Sequence, residues 1–138
     1  MNIARLLSKT MPTVLAVLVV CLFLSPAIRA KEMKSINFAP GANSASVKGE
    51  IQGMDRDTYP ITAKAGQTMS VSVKNKLKLV LFHIQMPGTE VKYLPKAGEE
   101  DDATEWKGVL PVSGTYTIIV GAMRGDDSTY TLDVQITK

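Results

Sequence analysis

The chain has 138 residues, one cysteine, 16 lysines and arginines, and 13 aspartates and glutamates. Three of the basic residues (Arg5, Lys9, Arg29) and no acid fall in residues 1–30, so residues 31–138 balance 13 positive against 13 negative charges. A neutral chain lacks the broad positive field that holds nucleic acid, which excludes that class of partner. The first 30 residues read as a cleaved secretory leader. Arg5 and Lys9 precede the apolar run Val14 to Leu24, Ser25-Pro26 breaks it, and Ala27-Ile28-Arg29-Ala30 supplies a small residue for cleavage after Ala30. Eleven apolar residues fall short of the roughly 20 that span a bilayer, so no membrane insertion is expected once the leader is removed. The expected compartment is the periplasm, or outside the cell. Cys21 lies within the leader, so residues 31–138 form one predicted domain with no disulfide and no thiol nucleophile.

Past the leader, apolar residues recur with a period of two. SINFA (35–39) sets Ile36 and Phe38 on one side, and ASVKGEI (45–51) does the same with Val47 and Ile51 after a Pro-Gly-Ala-Asn turn. TYPITA (58–63) is interrupted by Pro60, which cannot donate to a ladder and belongs at an edge or a bulge. Lys64-Ala65-Gly66-Gln67 reads as a turn into TMSVSVK (68–74), with Met69, Val71 and Val73 inward. LKLVLFHI (77–84) is almost continuously apolar and reads as a strand in the middle of a sheet. Residues 86–105 lack periodicity. WKGVLPV, TYTIIVGA and TYTLDVQI complete about eight strands, and no stretch keeps a helical period over three turns. The expected fold class is all-β: an antiparallel β-sandwich of about eight strands, jelly-roll-like.

Residues suited to chemistry are few. His83 is the only histidine and has no carboxylate within three residues, so it reads as a structural side chain. Glu99-Glu100-Asp101-Asp102, with Glu105, could offer oxygens to calcium, but the spacing matches no calcium loop and reads as a solvated acidic loop. Lys74, Lys76 and Lys78 share one side and suit the guarding of an exposed edge. Trp106 reads as a sheet anchor rather than a sugar platform. No cofactor and no enzymatic activity are expected. Edge strands leave open a homodimer.

GEIQGMDRDTYPITAKAGQTMSVSV (49–73) and LPVSGTYTIIVGAMR with STYTLDVQI (110–136) resemble the bacterial periplasmic inhibitors of g-type lysozyme. The shared pattern is a G-x-I-x-G turn, an acid before D-T-Y, A-K-x-G-Q before an alternating strand, L-P-x-S-G-x-Y, an arginine-bearing loop, and a closing Y-x-x-x-V-Q-I strand. The resemblance implies a β-sandwich that binds a host lysozyme and blocks its glycan cleft by loop insertion. It further implies Ser113, Gly114 and Tyr116 as loop contacts and Arg124 as the partner of a carboxylate. Met54 stands where the family carries an aromatic, and Arg124-Gly125-Asp126-Asp127 replaces a loop with two arginines. Secreted carbohydrate- or peptidoglycan-binding sandwich modules of the pre-peptidase C-terminal type share a looser form of the pattern. They supply the alternative reading.

Overall fold

Alternating burial organises the described residues into seven strands. In a computed structural model, which describes residues 33–138, these are β1 (Ser44–Ile51), β2 (Arg56–Ala63), β3 (Thr68–Lys74), β4 (Val80–Gln85), β5 (Glu105–Val109), β6 (Gly114–Ala122) and β7 (Ser128–Thr137). A single 3-10 turn, Met123–Gly125, joins β6 to β7. The described residues fall within one unit, Glu32–Lys138. The expected leader and its cleavage site lie outside the described residues.

Every pairing is antiparallel, and the strands form two sheets, β1-β7-β3-β5 and β2-β6-β4. Successive strands alternate between the sheets, as in a jelly roll. Between them lies a core built from the inward phase of each strand: Tyr59 and Ile61 from β2, Met69 and Val71 from β3, Phe82 and Ile84 from β4, Tyr116, Ile118 and Val120 from β6, and Leu132 and Val134 from β7. Each such side chain contributes about 1.5–3 kcal/mol by leaving water, which lets the sandwich hold without a covalent staple.

Where an eighth jelly-roll strand would pair with β4, residues 86–104 run irregularly along its open side. Leu94 N–H donates to Ile84 O at 2.9 Å, Ile84 N–H to Ala97 O at 2.9 Å, and Phe82 N–H to Ala103 O at 2.9 Å. The segment therefore covers an edge that would otherwise be open to a foreign strand. It also holds Trp106, whose indole N–H donates to Pro95 O at 2.8 Å.

Four sequence expectations need correction. SINFA forms no strand: residues 33–39 cross the edge of β2, with Lys34 N–H donating to Thr58 O at 3.0 Å and Ile36 and Phe38 packed on the core. The strand expected over 77–84 begins only at Val80, because Asn75 builds a turn first; its Oδ1 accepts from Leu79 N–H at 2.9 Å, and Leu77 is exposed. β4 is an edge strand rather than a central one. The lysines at 74, 76 and 78 guard no edge, since β3 pairs on both sides and the last two lie in the Asn75 turn. Pro60 does lie on an edge strand, β2.

Candidate functional site

The sequence-predicted contacts separate into two groups at opposite ends of β6. Nine residues of strand, about 30 Å at 3.2–3.4 Å each, keep Ser113 and Gly114 far from Arg124.

At the first end, the S-G-x-Y residues hold turns together. Ser113 Oγ accepts from Ala65 N–H at 2.9 Å, tying the β5–β6 turn to the β2–β3 turn. Gly114 has φ +145°, and a Cβ there would approach Pro87 Cβ to 2.8 Å, so both conformation and space require glycine. Tyr116 is 0% exposed, and its hydroxyl donates to Val112 O at 2.6 Å. That bond back to a backbone four residues upstream is the device of a tyrosine corner. Tyr116 is thus a core residue, and the loop contact expected of it is corrected: a ring in phase with Ile118 and Val120 has no face left for a partner.

The second end gathers Met54 and Arg124. Gly53 N–H donates to Asp127 Oδ1 at 2.8 Å, which fastens the β1–β2 turn to the β6–β7 loop. Met54 lies against Gly125 and is 82% exposed. Arg124 is exposed at the apex of its turn with φ 59° and ψ 11°, a left-handed conformation that costs a non-glycine residue about 1–2 kcal/mol. Met123 N–H anchors the base of the turn to Leu79 O at 2.7 Å. The guanidinium and the thioether therefore project from one joined rim.

A cleft of about 500 Å³ opens beside this rim, lined in part by Met54, Arg56, His83, Glu99, Asp102 and Arg124. His83 stands on its floor against the edge of Tyr93, ring centroids 5.9 Å apart. Burial, reinforced by the Arg56 charge, holds the imidazole below its usual pKa, so it is neutral near pH 7. The acidic run forms the far wall. Glu99 accepts from the Tyr93 hydroxyl at 3.0 Å and Asp101 from Gly98 N–H at 2.7 Å. Among the described residues, no group of three or more His, Cys, Asp or Glu side chains is gathered as a metal would need. The run is a folded wall of the cleft, and the sequence alone did not place it beside Arg124.

A buried charge that the sequence reading missed lies just beneath the rim. Asp57 is 1% exposed, and its Oδ2 accepts from the Tyr130 hydroxyl at 2.5 Å and from Lys34 Nζ at 2.9 Å. The Tyr59 and Tyr130 hydroxyls are 2.5 Å apart; since Tyr130 donates to Asp57, Tyr59 donates to Tyr130. Burial and the bond to Asp57 push the Tyr130 phenol far above its usual range. Burial opposes the charge on Lys34, but the bond and the charge of Asp57 outweigh it and raise that pKa. The aspartate and tyrosine of D-T-Y and the tyrosine of the closing strand thus meet in one network.

The curated inhibitor of g-type lysozyme from Escherichia coli (strain K12) is 34% identical over 132 residues, spanning 88% of this chain and 93% of its own length. The chain belongs to this family of lysozyme inhibitors. The crystal structure of a periplasmic inhibitor of g-type lysozyme from Aeromonas hydrophila matches with TM-score 0.61 and 35% identity over 75% of this chain and 94% of that one. Its Salmonella Typhimurium counterpart matches at TM-score 0.60 and 29% identity, over 78% of this chain and 100% of that one. A pre-peptidase C-terminal domain of a Bacillus anthracis collagenase, at TM-score 0.55 and 19% identity over 79% of this chain and 100% of that one, shares the fold alone. No family model matches the sequence. Trp106 is half-exposed, with its ring over Gly108 and its N–H donated to Pro95 O, the arrangement of a sheet anchor.

Proposed function

We propose that this chain is a periplasmic inhibitor of g-type lysozyme, and that it acts by seating the Met54–Arg124 rim in the enzyme's glycan cleft. The observation that carries the function is the 34% identity with the Escherichia coli inhibitor over nearly the whole of both chains. The rim is favoured as the contact surface because it presents an exposed guanidinium and an exposed apolar side chain from two loops fastened to each other.

No covalent chemistry is required of such a protein. A glycosidase works through carboxyl groups flanking the scissile bond. A guanidinium placed in that cleft makes charge-assisted hydrogen bonds with a carboxylate and excludes the substrate. Met54 supplies flexible, polarizable area that fits irregular surfaces. Backbone fixation of both loops reduces the ordering cost of association, since the rim is already shaped before contact.

The test is to add the purified domain, residues 31–138, to g-, c- and i-type lysozymes acting on bacterial cell walls. Saturable inhibition of the g-type enzyme is expected. Full activity of all three classes at excess inhibitor overturns the proposal.

A further inference from the structure

The two strands that support the rim are tied together by the buried network, and the tie lies close to the loops it could control. Asp57 is the second residue of β2, three positions after Met54. Tyr130 is the third residue of β7, three positions after Asp127, whose carboxylate holds Gly53. β2 and β7 belong to different sheets, so the Tyr59–Tyr130–Asp57 chain crosses the core instead of running within a ladder. Gly49, opposite Tyr130 on β1, leaves room for that ring; a Cβ there would come within 2.3 Å of the Tyr130 hydroxyl. Lys34 then reaches the same carboxylate oxygen from the N-terminal segment.

Stability alone is a poor reason for this arrangement. Well-packed apolar residues of similar volume usually replace a buried charge cluster without loss, and often with gain. What apolar packing lacks is direction. Two donors converging on Oδ2, with a third donor polarising the second, fix the distance and angle between β2 and β7 in a low-dielectric interior where such bonds are strong. Those two strands carry the Met54 turn and the end of the Arg124 loop.

We propose that Asp57 is the positioning residue of the rim, held by Tyr130, Tyr59 and Lys34, and that it sets the spacing between Met54 and Arg124. Its effect on inhibition rests on the function proposed above; its effect on the rim does not. Lys34→Met and Tyr130→Phe each remove one donor, and Asp57→Asn removes the charge. Leu110→Val, a buried change at the opposite end of the sandwich, serves as a control for general destabilisation.

Hydrogen exchange of the Gly53 amide is measured in the free proteins, and the inhibition constant against g-type lysozyme in parallel. In the network variants, Gly53 exchange is expected to accelerate by about tenfold and potency to fall by about tenfold, as expected when one hydrogen bond to a charged group is lost. The control is expected to change neither. Unchanged Gly53 exchange in Lys34→Met and Tyr130→Phe, or equal acceleration in Leu110→Val, overturns the proposal. If the parent protein inhibits nothing, the functional reading fails and the exchange data still decide the positioning role. Should Asp57→Asn fail to fold, Lys34→Met decides it, because that side chain is 38% exposed and its loss opens no core cavity.

Discussion

Tyr116→Phe separates a scaffold role from a contact role at one atom. The substitution keeps the ring that fills the core and deletes only the hydroxyl, whose 2.6 Å bond to Val112 O closes the turn before β6. A hydrogen bond of this kind contributes about 0.5–1.5 kcal/mol net. Val112 is 41% exposed, so water can replace the lost donor at its carbonyl, which places the cost toward the lower end of that range. For a domain of roughly 100 residues, 1 kcal/mol shifts Tm by about 4–8 °C, so a fall of about 3–8 °C is expected by calorimetry. Because the hydroxyl faces inward and Tyr116 lies about 20 Å along β6 from the strand end next to Arg124, potency against g-type lysozyme should stay within about twofold when assayed well below Tm. A tenfold or greater loss of inhibition with unchanged Tm would refute this reasoning and put the S-G-x-Y loop in the enzyme.

Arg124→Ala should give the opposite result. Tm is expected to hold, since the side chain removed is exposed and alanine keeps the Cβ that sets the left-handed strain, while inhibition weakens by at least about 30-fold, the lower end of the cost of truncating one partner of a buried charged hydrogen bond. Gly49→Ala drives a methyl group into Tyr130 and is expected to cost about 1–3 kcal/mol by overpacking, read as a lower midpoint in urea. Lys34 and Tyr130 both have raised pKa values in the folded protein, so each stabilises the fold fully below its unfolded value near 10 and loses that contribution as pH climbs through the folded value. Tm measured from pH 8 to 11.5 should therefore fall above about pH 10, and Tyr130→Phe should flatten that decline; an unchanged slope contradicts the network's protonation state.

The strands were legible because burial imposes a period of two, and in β3 and β6 nothing competed with it. Tyr116 is legible from the same signal: its phase with Ile118 and Val120 marks its ring as core, whereas the S-G-x-Y resemblance carries no information on which way the hydroxyl points. Leu77 and Leu79 misled for a different reason. Apolar residues in a turn look like strand unless the asparagine that builds the turn is weighed, and Asn75 does so through a side-chain acceptor that mimics backbone. The separation of Ser113 from Arg124 follows from the length of one strand.

Asp57 was beyond reach by local reading. A lone aspartate beside Arg56 looks solvated, and the groups that allow its burial sit 23 residues upstream and 73 downstream. The acidic run posed the same difficulty, since only the irregular course of residues 86–104 brings Glu99 and Asp102 beside the arginine rim.

Amide chemical-shift mapping during titration with an inactive g-type lysozyme tests the contact surface most directly. The rim account predicts that Gly53, Met54 and residues 124–127 shift or broaden first, while residues 64–67 and 110–114 stay unmoved. Perturbation confined to that second set would contradict it.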